Sequence, residues 1–317
     1  MDRLPSRLVA ISMLFVGALA APRAQGTSPA ASPAGYPAAG QPPIVALVSP
    51  GAAPRKMLRY AIAKDYKSHM DMTMAIGMTL GLAGMDGQTI AIPPMKVGAD
   101  LAVTGIAASG DVSYDFGYTS VTADGAGADP STAALLQSFS NDIKSLRGSA
   151  TISSRGESHG MHFDTSTISN PQLSQVMSSM SQTLDGLVMP LPAEAVGVGA
   201  RWEGRQIVKA NGIEMQQKSV WEIVGVNGSD VNVNVTIEQS ASAQPINNPA
   251  LPAGAEMTLE KMSGRGSGTA TLHLNGLVPT SDVNTASTMY MSINVGGQSQ
   301  PVTVAVTAKV GVAPGKF

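Results

Sequence analysis

The sequence predicts an α+β chain that is mainly antiparallel β: a long-stranded, curved sheet or half-barrel of about ten strands, with two amphipathic helices on its concave face. Three observations carry this. The stretch "MDMTMAIGMTLGL", Met70 to Leu82, is apolar at every even position and polar or small at every odd one, the period of a strand with one buried face. Turn dipeptides such as Asn211-Gly212 and Asn227-Gly228 separate alternating apolar runs, which marks hairpins. Two segments instead space their apolar residues at helical intervals.

From the N-terminus, Arg3 and Arg7 precede the apolar run Leu8 to Ala21, and "ALA", Ala18 to Ala20, fits a small-x-small cleavage pattern. Residues 1–20 are expected to be a signal peptide cleaved between Ala20 and Ala21, with a site near Ala24 as the alternative. The run is shorter than the roughly 18 to 20 apolar residues a membrane span requires, and no second long apolar run follows. The mature chain is therefore expected to have no integral membrane segment and to work in the periplasm or outside the cell. Residues 21–54, rich in alanine and proline, read as a flexible linker in which Ile44 to Val48 docks as a short edge strand. Residues 55–317 read as a single β-rich domain.

Within that domain, "RWEGRQIVKANGIEMQQKSVWEIVGVNGSDVNVNVTIEQ" reads as a three-stranded meander. "STMYMSINVGGQSQPVTVAVTAKV" reads as a hairpin, and "MKVGADLAVTGIAA" pairs with "DVSYDFGYTSV" across Ser109-Gly110. Asp86-Gly87 and Asn275-Gly276 are expected to be further tight turns, and the chain between the two helices to turn near Arg155-Gly156. Nearly all strands are joined by short turns and so run antiparallel. The first helix is expected over 130–147, capped by Asp129 with Pro130 at its first position; Leu135, Leu136, Phe139, Ile143 and Leu146 form its stripe. The second, over 171–185, is capped by Asn170 and carries Leu173, Val176, Met177, Met180 and Leu184. The glycines at 77 and 81 are expected to let the long strand bend.

Composition narrows the function classes. With 20 Lys and Arg against 22 Asp and Glu, the net charge is -2, and no basic stripe occurs that would suit nucleic acid. The absence of cysteine removes disulfides, thiol chemistry and a lipidated cysteine. Two Trp, six Tyr and five Phe are too few for the aromatic girdles of an outer-membrane barrel, and Lys309, Gly311, Ala313 and Gly315 lack the apolar alternation of its last strand.

Reactive constellations are sparse. In "ESHGMH", Glu157, His159 and His162 are the best metal candidates. Two histidines three apart on a strand point to opposite faces, so the expectation is no metal and no cofactor. His69 and His273 have no partner pattern nearby. Asp111, Asp115, Asp124 and Asp129 match no calcium loop. "GRGSG", Gly264 to Gly268, does not fit a nucleophile elbow and reads as a turn entering a strand. The chain is expected not to be an enzyme.

Methionine supplies four of the seven apolar residues of Met70–Leu82, and it suits surfaces that accept varied apolar partners. The expected ligand-lining set is Met72, Met74, Ile76 and Met78 on the strand, Leu135, Phe139 and Ile143 on the first helix, and Val176, Met177 and Met180 on the second. A lipid or other lipophilic small molecule held between sheet and helices is the expected partner. The alternative is an envelope structural or protein-interaction module with a fully packed core: burying the strand's seven apolar side chains is worth on the order of 10 to 20 kcal/mol before entropy costs, with no ligand needed.

"LPAEAVGVGARW", Leu191 to Trp202, resembles an L-P-x-x-x-V-x-V-G-x-x-W element of a group of exported bacterial proteins of uncharacterised function, matched here by Leu191, Pro192, Val196, Val198, Gly199 and Trp202. "GSGTATLHLNGLVP", Gly266 to Pro279, is similar to the same group. The resemblance spans residues 55–310 in layout and implies no activity. In architecture the expected fold looks like periplasmic half-barrels that carry lipids or lipoprotein acyl chains, an analogy of fold alone.

Overall fold

The computed structural model describes residues 35–82, 85–91, 93–123, 141, 143–164, 189–210, 212–246, 255–295 and 297–316. Sixteen strands are defined among them: β1 (Ile44–Ser49), β2 (Lys56–Met57), β3 (Lys67–Leu82), β4 (Met85–Ala91), β5 (Met95–Ile106), β6 (Val112–Ala123), β7 (Arg147–Ile152), β8 (Ser158–Asp164), β9 (Ala195–Val196), β10 (Arg201–Ala210), β11 (Ile213–Asn227), β12 (Asp230–Ala241), β13 (Gln244–Ile246), β14 (Ala255–His273), β15 (Thr280–Val295) and β16 (Gln298–Gly315). Fourteen of them form one sheet in the order β1-β10-β11-β12-β14-β15-β16-β3-β5-β6-β7-β8, with β4 on β3 and β13 on β14; β2 and β9 make a separate pair. All the pairings are antiparallel.

The long expected strand is β3, and its alternation follows from register. Opposite residues in a pair share a face. Met72, Met74, Met78 and Leu80 of β3 stand opposite Val312, Val310, Val306 and Val304 of β16. The meander β10-β11-β12 and the hairpins β5-β6, β7-β8 and β15-β16 are present as read. At the β11-β12 turn Gly228 has φ +62°, a region that suits glycine after asparagine. β1 pairs β10 at one edge of the sheet and lies inside the stretch read as linker.

Two expectations are corrected. The sheet is open and uncurled rather than a curved half-barrel: β1 and β8 are its two edges and do not meet. At Gly77 the strands approach closely, since a Cβ there would lie 2.7 Å from Thr307 Oγ1, and at Gly81 the β3–β4 register shifts between Leu80 and Leu82. The two amphipathic helices are not part of the described fold. Of the first, Asn141 and residues 143–145 are helical, an Ile143–Leu146 hydrogen bond of 2.9 Å closes that turn, and Arg147 already opens β7. The rest of that helix and all of 171–185 lie outside the described residues. Ile143 and Leu146, read as a helical stripe, pack with Phe116, Tyr118 and Phe163 at the β6–β8 edge.

Turn chemistry was also misplaced in three stretches. Asp86-Gly87 lies inside β4, and Gly264–Gly268 lies in mid-β14. The Asn275-Gly276 stretch is a longer connection between β14 and β15 rather than a two-residue turn. Gly264, Gly266 and Gly268 alternate on one face where β15 approaches closely; a Cβ on Gly268 would overlap the Asp282 carbonyl oxygen.

One face of the sheet holds the core, in separate parts. The first gathers Trp202, Trp221, Ile223, Val231, Val233 and Leu272 under Leu58 and Leu191. The second gathers Met78, Leu80, Met257, Leu259, Met291 and Val304. Between them lie Gln206, Gln217 and Gln239, which stand opposite one another across β10, β11 and β12. Gln239 Nε2 donates to Gln217 Oε1 at 2.8 Å.

Candidate functional site

Two surfaces compete as a functional site, one on each face of the sheet. On the apolar face, β3 changes character along its length. Met78 and Leu80 are buried, whereas Met70, Met72, Met74 and Ile76 are only half-buried. On β16, Val302 and Val304, the latter opposite Leu80, are buried, while Val306, opposite Met78, and Val310 and Val312, opposite Met74 and Met72, are half-buried. The half-buried block therefore continues across both strands, beyond the closed core.

Of the expected lining residues, Met72, Met74, Ile76 and Met78 share this face. Ile143 lies apart, in the cluster with Leu146 and Phe163. Leu135, Phe139, Val176, Met177 and Met180 lie outside the described residues, as do Ala20 and Ala21 of the expected cleavage site.

The opposite face is polar, and the hollows lie along it. One of about 890 Å³ crosses five strands from β12 to β3. A second of about 720 Å³ adjoins it. The two share Glu238, Arg265, Ala286 and Thr307, which form a single cross-strand row. Lys218 extends this row, and its Nζ lies 2.7 Å from Glu238 Oε2. The hydrogen bond from Lys218 holds the Glu238 carboxyl below its ordinary range, and the bond to Glu238 raises Lys218. A third hollow of about 510 Å³ is lined in part by Asp100, Asp115, Arg147 and His162. None of the three is lined by Met72, Met74 or Met78; Ile76 lines the first.

The histidines found partners that the sequence did not display. His69 Nδ1 lies 2.5 Å from Asp100 Oδ1, and Nε2 lies 3.6 Å from Asp71 Oδ1. His273 Nδ1 lies 2.8 Å from Asp230 Oδ1, and Nε2 lies 3.1 Å from Thr280 Oγ1. The order carboxylate, imidazole, hydroxyl is that of a nucleophile relay. Here it clamps three strand termini at the surface, and none of the three hollows adjoins it. Glu157 pairs with Arg155 at 3.7 Å, while His159 and His162 are exposed. Among the described residues no group of three or more His, Asp or Glu is placed to hold a metal ion. Nor is any described helix long and apolar enough to cross a membrane.

The segment Leu191–Trp202 anchors the first core. Leu191 and Trp202 are fully buried, and Trp202 Nε1 donates to the Pro190 carbonyl oxygen at 2.9 Å. Trp202 stacks on Trp221 with centroids 5.9 Å apart. Gly199 takes φ +79° to turn the chain into β10. Nearby, burial pushes the Tyr60 phenol up to about 12.

Comparison with protein-family models and with curated proteins gave no match to this chain.

Proposed function

We propose that this is an exported, non-enzymatic protein of the periplasm or the cell exterior that holds a lipophilic molecule, such as a lipid acyl chain, against the apolar face of its sheet. The observation that carries this reading is the change along β3 and β16: one continuous apolar face is closed over Met78, Leu80, Val302 and Val304 and only half-covered over Met70, Met72, Met74, Val310 and Val312. Methionine in the half-covered part supports it, because a flexible, polarisable side chain adapts to varied apolar shapes.

The test is native mass spectrometry and solvent extraction of the purified protein, with titration of a fluorescent fatty acyl probe. Co-purifying lipid, or saturable probe uptake that falls at least tenfold in Met72→Asp/Met74→Asp with unchanged far-UV circular dichroism, supports the reading. Protein that is empty and takes up no probe overturns it.

A second reading, an envelope structural module with a packed core, draws on the complete burial of Trp202, Leu259, Leu272 and Val304. Empty protein that still unfolds cooperatively would favour it.

A further inference from the structure

We propose that Asn227 is a site of spontaneous covalent modification: the backbone nitrogen of Gly228 attacks the Asn227 side-chain amide, and the residue becomes a mixture of aspartate and isoaspartate. Asparagine followed by glycine is the reactive pair for this chemistry. Glycine has no Cβ to shield its nitrogen, and it leaves the backbone free to turn toward the amide. Two Asn-Gly pairs, Asn227-Gly228 and Asn275-Gly276, lie wholly within the described residues, and the fold treats them in opposite ways.

Asn227 is the last residue of β11 and stands opposite Asp230, with Gly228 and Ser229 as the turn between them. Asn227 and Gly228 are both exposed, and a Cβ on Gly228 would meet nothing within 4 Å. Among the described residues the Gly228 N–H has no backbone acceptor, and the Asn227 side chain has no hydrogen-bond partner. The end of a hairpin opens locally at little cost, which lets Asn227 leave its extended geometry. At the second pair the Asn275 side chain is exposed too, but the nitrogen it needs is held. The Gly276 N–H donates to the His273 carbonyl oxygen at 2.9 Å. Gly276 is buried, and a Cβ there would lie 2.8 Å from Tyr66 Oη. Attack requires that nitrogen to give up its proton and swing onto the amide carbon, and both the hydrogen bond and the packing oppose this at Gly276.

The reaction balances with water as its only co-reactant. The Gly228 nitrogen loses its proton and bonds to the Asn227 side-chain carbonyl carbon. The bond from that carbon to the side-chain nitrogen breaks, and ammonia leaves with the proton, closing a succinimide ring. Water then opens the ring. Addition at the side-chain carbonyl gives aspartate, and addition at the backbone carbonyl gives isoaspartate; nothing is oxidised or reduced. Either product sets a new carboxylate opposite Asp230, whose own carboxylate Oδ1 lies 2.8 Å from His273 Nδ1. Like charges directly opposite one another destabilise a strand pair. Isoaspartate also adds a carbon to the main chain where the turn fixes the β11–β12 register.

The test holds the purified full chain in native buffer made with heavy-oxygen water, then digests it in ordinary water and maps the peptides by mass spectrometry. Conversion in the intact protein carries the heavy label, and conversion during digestion does not. The peptide containing Asn227 should acquire labelled aspartate and isoaspartate at least tenfold faster than the peptide containing Asn275. In urea, where neither nitrogen is held, the two should convert within twofold of each other. Asn227 converting no faster than Asn275 in the folded chain overturns the proposal, as does Asn227 staying intact while the urea-unfolded chain converts completely. A difference that persists in urea overturns it as well, since sequence rather than fold would then set the rates. Labelled aspartate without isoaspartate overturns the ring route.

Discussion

Trp202 shows how one side chain fixes an end of this sheet. Its ring is fully buried against Trp221, and its N–H satisfies the Pro190 carbonyl oxygen. Trp202→Phe keeps most of the apolar area but leaves that oxygen without its donor, which should cost about 1–3 kcal/mol. Trp202→Ala adds a cavity and should cost about 3–5 kcal/mol in chemical denaturation. Tyr60 offers a pH test at the same core. Its folded pKa is raised to about 12 by burial, so the folded state keeps the proton when the unfolded chain has lost it. Stability should therefore be intact below the unfolded phenol's pKa near 10 and fall by about 1–3 kcal/mol as pH rises from about 10 to about 12. Tyr60→Phe should flatten that fall, read as denaturation midpoints at stepped pH.

At the scale of the element, β14 depends on glycine for strand proximity. At Gly268 the obstacle to a Cβ is backbone, the Asp282 carbonyl oxygen, and backbone cannot swing aside as a side chain can. Gly268→Ala should cost about 1–3 kcal/mol in thermal unfolding. Gly105→Ala on β5, where a Cβ meets nothing within 4 Å, should be neutral or stabilising by up to about 1 kcal/mol. The same contrast explains what the sequence could display. The alternation of Met70–Leu82 was legible because a period of two is local, and so were the β11-β12 and β7-β8 turns. Gly264–Gly268 looked like a turn because glycine signals loops and close strand approach alike. Asp86-Gly87 misled for the same reason. The first helical stripe was legible at its end, where residues 143–145 are helical, but its boundary was not, because Arg147, read as the last residue of the helix, already opens β7. For the site, the sequence placed Met72, Met74 and Met78 on one face, but their different burial depends on β16, more than two hundred residues away. His273 looked isolated because Asp230 reaches it only through the β12–β14 register.

At the scale of the whole molecule, β16 is the link that makes one sheet of two blocks. On one side lie β1, β10, β11, β12, β14 and β15; on the other lie β3, β5, β6, β7 and β8. The link joins residues 298–315 to residues 67–82, a long-range contact of the kind that slows folding and ties distant elements to one transition. Val304 is central to it: its side chain is fully buried between Met289 of β15 and Leu80 of β3, the residues opposite it on either side. Val304→Asp places a charge among apolar groups with no partner, and should cost more than about 3 kcal/mol. The consequence distinguishes one cooperative sheet from two independent blocks. Both tryptophans, Trp202 and Trp221, lie in the β1–β15 block, on β10 and β11. Their fluorescence reports that block, while far-UV circular dichroism reports all the strands. In a single cooperative sheet the two signals share one urea midpoint, and Val304→Asp lowers both equally. If the tryptophan midpoint stays at its wild-type value while the dichroism midpoint falls or splits, the blocks fold separately and β16 does not couple them.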